Sequence, residues 1–274
     1  TQTNEGFAMA YRHAAAYEEA DADLVACADI VRENAAAFAD YWDIDADHVY
    51  EDYAEMLDAV EPTIVSVCTP PPTHADIVVE CARSHTVDAI HCEKPMDTTW
   101  ANARRMAEMC EEEGVKLTFN HQRRSGKPYR RAKELLDDGE IGDLERVEVS
   151  RGDLLESGIH QVDLASYLTG DHPAEWVMGQ LDYHEEERRH GVHVTDQTFG
   201  VWEYDTGVHG IVSTGAGADV VDASVRLRGS QGGLEFTRDR LTVTTGGEDV
   251  LSIDDPFQGE FLQAAIEHVV TCIG

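Results

Sequence analysis

Glu93-Lys94-Pro95 follows directly on an apolar run at residues 87–92. Such a run reads as a buried strand, and parallel α/β sheets bind ligands at the carboxyl ends of their strands. Lysine is scarce in this chain: Lys94, Lys116, Lys127 and Lys133 are the only four among 21 basic residues. A lysine held between a glutamate and a proline at a strand end can donate to a hydroxyl or stabilise a developing alkoxide. X-Pro bonds adopt cis far more readily than others, so a cis Lys94–Pro95 bond is an expectation. A second cluster is Glu156-Ser-Gly-Ile-His160-Gln-Val-Asp163-Leu-Ala-Ser-Tyr167. At helical spacing Glu156, His160, Asp163 and Tyr167 share one face, beside apolar Ile159, Val162 and Ala165. Histidine is the usual general base near neutral pH, and a carboxylate one turn away can fix its tautomer. Taken alone, Glu93-Lys94 reads equally as a surface ion pair, and the His160 cluster as a solvated helix face.

The other strand ends carry weaker signals. Asp29, followed by Ile30, ends the first apolar run; an acid there can take the ribose hydroxyls of a dinucleotide and repel a 2′-phosphate, favouring NAD over NADP. Its ordinary alternative is a helix cap. Thr69-Pro-Pro-Pro-Thr-His74 ends the next run. Its prolines fix a rigid turn that can lie against a cofactor, or that simply joins strand to helix with a surface His74.

The elements that must position these residues alternate in the first half. Strands are expected at 23–29, 63–68, 87–92 and 115–119, and helices at 7–19, 30–42, 53–60, 73–84 and 98–113, with Thr73 as an N-cap and Gly114 as a stop. Apolar strands separated by helices mean a parallel sheet covered on both faces. From about residue 121 the pattern changes to helices at 127–138 and 157–168, a strand at 146–150, and then strands with short turns over 176–250. The expected fold is therefore a doubly wound parallel sheet at 1–120 followed by an α+β domain at 121–274 with a large, mostly antiparallel sheet. The chain has no initiating Met and ends within or just after an amphipathic segment, so it reads as truncated at both ends, with the first strand and glycine loop of the parallel domain lying before Thr1. Loss of that central strand is expected to leave its neighbours unpaired.

Composition excludes several classes. Asp+Glu number 54 against 21 Lys+Arg, a net charge of −33. A polyanion of this kind repels phosphate backbones and anionic lipid, so nucleic acid and membrane are not expected partners. No apolar run approaches the ~20 residues of a membrane helix, and the chain opens without a signal peptide, so the cytoplasm is expected. Acid spread along the chain with little lysine reads as adaptation to a salty cytoplasm, where about 3 Å of Debye length at molar salt screens self-repulsion. The six cysteines have no metal-ligand spacing and read as reduced and structural.

Taken together, Val67-Cys-Thr-Pro-Pro-Pro-Thr-His74, His91-Cys-Glu-Lys-Pro95 and Gly158-Ile-His160-Gln-Val-Asp163 resemble the Gfo/Idh/MocA oxidoreductases, relatives of glucose–fructose oxidoreductase and inositol dehydrogenase. The resemblance covers residues 6–143 and 156–170. It implies a Rossmann domain, a C-terminal sheet domain, a nicotinamide cofactor (NAD, with NADP as the alternative), and hydride transfer from a sugar or polyol secondary alcohol. By the same resemblance Lys94 binds the reacting hydroxyl and His160 accepts its proton. Glu156 stands where many members have Asp. Asp29 and Ile30 take the adenosine, and Thr69, Pro70, His74, Glu93 and Lys94 line the cofactor. Arg124 and Asp163 join Lys94 and His160 in holding substrate. A homo-oligomer is expected from an open sheet face. Two further readings stay open: a transient-redox sugar enzyme, such as an NAD-dependent glycosidase or eliminase, and a sugar or dinucleotide sensor without turnover.

Overall fold

The computed structural model of the 274-residue chain describes residues 5–150, 152–155, 157–184, 186–215, 224–237, 240–254 and 261–273. The chain divides into two compact units, Thr1–Asn120 with Leu262–Gly274, and His121–Phe261. The C-terminal segment thus joins the first unit, rather than closing the second as the sequence pattern suggested.

In the first unit α1 (Glu5–Glu19) precedes β1 (Cys27–Ala28), α2 (Arg32–Trp42), β2 (Val49–Tyr50) and α3 (Tyr53–Val60). There follow β3 (Ile64–Val67), α4 (His74–Arg83), β4 (Ala89–Cys92), α5 (Trp100–Glu113) and β5 (Lys116–Phe119). All strand pairs here are parallel, in two sheets ordered β1-β2 and β3-β4-β5. β1 and β3 are each paired on one side only among the described residues. β1 is correspondingly short: it is ordered only where β2 meets it, not over the whole apolar run at 23–29.

Local signals set the helix limits. Thr99 accepts the Asn102 N–H at 3.2 Å to start α5, and Gly114, at φ 73°, ends it in the left-handed region that glycine adopts without strain. Thr73 precedes α4 but does not cap it with its side chain; its hydroxyl donates to Pro70 O and Thr69 Oγ1 instead. β4 is buried along its whole length, and Ile90, Cys92, Val67, Val78 and Met106 form the core between sheet and helices. Each such fully buried aliphatic side chain stabilises the fold by about 1.5–3 kcal/mol. A separate cluster seats Ile266 of α8 (Phe261–Thr271) against Ala16 and Tyr17 of α1, which accounts for the return of the C-terminal segment to this unit.

The second unit opens with α6 (Lys127–Asp137), β6 (Leu144–Ser150) and α7 (Ile159–Thr169). β7 (Ala174–Asp182), β8 (Glu187–Arg189), β9 (Val192–Val194), β10 (Gln197–Tyr204) and β11 (His209–Gly215) follow. β12 (Val225–Gly229), β13 (Gly232–Phe236), β14 (Arg240–Thr245) and β15 (Glu248–Asp254) complete it. Eight strands make one sheet in the order β15-β14-β13-β12-β6-β11-β10-β7, antiparallel except for the β6–β11 pair. Alternation puts Val147, Val149, Val225, Leu227, Leu234 and Phe236 on the face packed with Tyr129 of α6 and Leu164 of α7. Gly210 is required there: a Cβ would stand 1.9 Å from the Trp202 ring. On the opposite face Arg226 donates to Glu148 at 3.3 Å and to Glu235 at 2.7 Å. No described helix is long and apolar enough to cross a membrane.

Candidate active site

In the first unit the candidate residues lie at the strand ends. Asp29 follows β1; its carboxylate accepts the Val31 N–H at 2.8 Å and its Oδ2 the Asn34 amide at 3.5 Å. Ile30 beside it is 89% exposed. A partly buried acid next to a bare aliphatic surface, at the carboxyl end of a parallel strand, is a pair that could hold an adenosine.

Beyond β3, the prolines form a short turn at Pro71–Thr73. His74 is buried, not on the surface. Its Nε2 lies 2.8 Å from Thr69 O and its Nδ1 3.0 Å from Pro95 O. The ring therefore pins the Thr69–Pro70 turn to the Lys94–Pro95 turn, whose peptide bond is cis. Both ring nitrogens face carbonyls of the chain, so His74 acts on the two turns that were expected to line a cofactor.

Beyond β4 and β5 lies a polar network that the sequence reading missed. Glu93 Oε1 accepts from His13 Nε2 at 3.0 Å and from Asn120 Nδ2 at 2.6 Å. His13 Nδ1 meets Ser66 Oγ at 2.7 Å. Burial opposes the charge on Glu93, but His13, Asn120 and Lys94 outweigh it and lower its pKa to about 2. Burial likewise opposes charge on His13; Cys68 and Glu93 prevail and raise it to about 10. His91, with its ring 5.1 Å from that of His13, is pushed down to about 3 by burial and by the His13 charge. Asn120 keeps a buried carbonyl oxygen, Oδ1, with no hydrogen-bond partner among the described residues. Asn120 was findable: the strand-end rule applied to β5 selects it. His13 had one faint signal, a polar residue beside Ala14 on the buried stripe of an Ala-rich helix.

In the second unit His160 opens α7 and is buried, its ring edge-to-face with His121 at 5.7 Å between centroids. Asp163 is held by Arg124, whose Nη2 and Nε donate at 2.7 and 2.9 Å. Arg124 also donates to Asp171 at 2.9 Å and lies 5.5 Å over the Tyr167 ring. Burial opposes the guanidinium charge, but the Asp163 and Asp171 carboxylates hold its pKa above the ordinary arginine value. The two residues read as substrate ligands are thus bound to one another. Arg123 donates to Gln161 at 2.7 Å, tying the same segment to α7 a second time. Glu156 lies outside the described residues.

A parallel-strand domain followed by a large, mostly antiparallel sheet is a Rossmann-type two-unit architecture. Residues 6–121 match the family described as "Oxidoreductase family, NAD-binding Rossmann fold", and residues 146–235 the "GFO/IDH/MocA C-terminal domain". The chain belongs to the Gfo/Idh/MocA family. It is similar to an inositol 2-dehydrogenase from Rhizobium meliloti, 31% identical over 173 residues, which are 56% of this chain and 49% of that protein. It is also similar to a myo-inositol 2-dehydrogenase from Thermotoga maritima, 26% identical over 200 residues, covering 67% and 59% of the two chains. The matched regions therefore span about half to three fifths of these relatives' lengths. Among solved structures, an inositol dehydrogenase homolog complexed with NAD+ from Azotobacter vinelandii superposes with a TM-score of 0.80 at 18% identity, covering 97% of this chain and 81% of that one.

Proposed function

We propose that the protein is an NAD-dependent dehydrogenase that oxidises a secondary hydroxyl of a sugar or polyol, of the cyclic-polyol class named in its relatives. The observation that carries this is Lys94: a scarce lysine at the carboxyl end of β4, fixed between a buried, ionised Glu93 and Pro95, in a family described as NAD-binding. Asp29 and Ile30 hold the adenosine end, and the Thr69–Pro70 and Lys94–Pro95 turns line the nicotinamide end. NAD, when bound, supplies the hydride acceptor.

Lys94 donates to the substrate oxygen and stabilises the negative charge that grows there as the proton leaves. His160 takes that proton. Its neighbourhood suits the task, because a largely buried imidazole has few competing water contacts. Asp29 selects NAD over NADP by charge repulsion.

The exposed end of the second-unit sheet supports self-association. Met178 is 67% exposed on β7, and Trp176 and Phe199 add to the same outer face. Contiguous apolar surface of this kind marks an interface. The six free thiols fit a reducing compartment, the cytoplasm.

The test uses the full-length protein in high potassium chloride. Reduced-nicotinamide absorbance is followed with NAD or NADP across inositols, aldoses and polyols. Turnover with NAD that falls about 100-fold or more in Lys94→Ala, with NAD Kd held within about threefold, supports the reading. Equal loss of turnover and NAD affinity overturns the role of Lys94. Tight NADH binding without turnover on any of these alcohols overturns the dehydrogenase.

A further inference from the structure

Glu93 uses both of its oxygens inside the chain. Oε1 is taken by His13 and Asn120, and Oε2 accepts the backbone N–H of Lys94 at 3.2 Å. The groups that fix this carboxylate come from separate elements: His13 from α1, itself bonded to Ser66 of β3, and Asn120 from the end of β5. We propose that Glu93 is a positioning residue for Lys94, with His13 and Asn120 locking one carboxylate oxygen so that the other holds the Lys94 backbone and sets the direction in which its side chain leaves the strand end. The proposal rests on the reading of Lys94 as the residue that holds the reacting hydroxyl.

Chemistry favours a carboxylate here over any neutral substitute. Its donors are the His13 N–H, the Asn120 amide and the Lys94 N–H, and only an ionised acid offers acceptors on both oxygens. A glutamine offers one oxygen and turns an NH2 either toward Lys94 or toward His13 and Asn120, leaving a buried donor facing a donor. Burial opposes the ionised form, yet His13, Asn120 and the Lys94 charge lower the Glu93 pKa to about 2, so the anchor stays charged throughout the neutral range. Rate follows because a small misplacement of a catalytic group costs up to about 100-fold in turnover.

The test reads the backbone directly and independently of activity. Amide hydrogen exchange of Lys94 is measured by NMR in the full-length protein and normalised to Ile90 in the same strand. In Glu93→Gln we expect Lys94 exchange to rise roughly tenfold relative to Ile90. His13→Leu shifts it in the same direction, and His13→Gln, which retains an N–H donor, recovers most of the protection. Turnover on the alcohol found in the screen above falls up to about 100-fold in Glu93→Gln. Unchanged Lys94 exchange in Glu93→Gln overturns the proposal whatever the rates. Raised exchange with unchanged turnover, in a protein that Lys94→Ala inactivates, also overturns it. Loss of nothing in Lys94→Ala sinks the functional reading instead, and the exchange arm still reports on the anchor. Should Glu93→Gln fail to fold, the His13→Leu and His13→Gln pair with Asn120→Ala carry the same two readouts.

Discussion

Arg124 grips Asp163 from the side, its Nε placed 2.9 Å from both carboxylate oxygens and its Nη2 2.7 Å from Oδ1. The pair joins the segment after β5 to the middle of α7, and Asp171 closes it from the helix end. Its side chains are 33% and 12% exposed for Arg124 and Asp163, so the carboxylate is the buried member.

Removing one member of a buried pair strands the other, which costs about 3–5 kcal/mol in a fully buried site. Partial exposure of Arg124 reduces that here. We expect Asp163→Asn to lower unfolding free energy by about 2 kcal/mol, and Asp171→Asn by under ~1 kcal/mol because that carboxylate sits in solvent. Arg124→Lys loses the bidentate geometry and falls between them. Denaturant unfolding measures all three. An Asp163→Asn protein as stable as the wild type, with a raised KM alone, returns Asp163 to the role of a substrate ligand.

The proposed adenosine contact of Asp29 offers a charge test. A carboxylate beside the adenosine ribose repels a 2′-phosphate. Asp29→Ser removes that repulsion and leaves a hydroxyl able to accept the Val31 N–H. The ratio of kcat/KM for NADP to that for NAD should rise at least about tenfold, a change of ~1.4 kcal/mol in discrimination. An unchanged ratio removes Asp29 from cofactor selection.

What could be read along the chain depended on how far a residue's partner lay from it. The places of Lys94, Thr69 and Asp29 at strand ends were legible because a strand end is defined by a few consecutive residues. His13 was not, because Glu93 lies 80 positions away, and the helix pattern of α1 says only that one stripe is buried. The pairing of Asp163 was hidden for the same reason: its acid was visible, but Arg124, 39 positions earlier, was not visibly its partner. His74 looked like a surface residue at a helix start because carbonyls of Thr69 and Pro95 leave no sequence trace. The two sheet classes were legible from apolar runs and alternation. The extent of β1 was not, since a strand reaches only as far as its neighbours pair with it. The unit to which the C-terminal segment belongs was also unreadable, because an apolar stripe carries no address.

The buried network fixes a pH optimum of stability. His13 keeps its proton up to about 10 when folded and releases it near 6.5 when unfolded, so stability falls as pH rises through that window. Glu93 ionises near 2 when folded and near 4.5 when unfolded, so its contribution is lost as pH falls from about 4.5 to about 2. His91 resists protonation down to about 3, while its unfolded form takes a proton near 6.5, which also lowers stability on the acid side. The three together place maximum stability near pH 6.5. Urea unfolding at several pH values should show an alkaline decline that disappears in His13→Gln and an acid decline that shrinks in His91→Gln. An alkaline limb unchanged by His13→Gln assigns that decline to other groups.

The net charge of −33 predicts how the fold answers to salt. At about 0.1 M salt the Debye length is ~10 Å, so repulsion among the acids is only partly screened and opposes compaction. At about 1 M it falls to ~3 Å and the repulsion is screened, while the apolar cores are untouched or strengthened. Favourable surface pairs such as Arg104–Glu108 and Lys133–Asp137 weaken under the same screening, but each is worth under ~1 kcal/mol. Repulsion therefore dominates the balance, and Tm should climb steadily between 0.1 and 2 M potassium chloride, by about 10 °C or more for a chain of this size if several kcal/mol are recovered. Sodium chloride should act alike, because screening depends on ionic strength and not on the cation. A Tm that stays level or falls across this range shows that the acidic surface is tolerated without salt, and the halophilic reading of the composition fails.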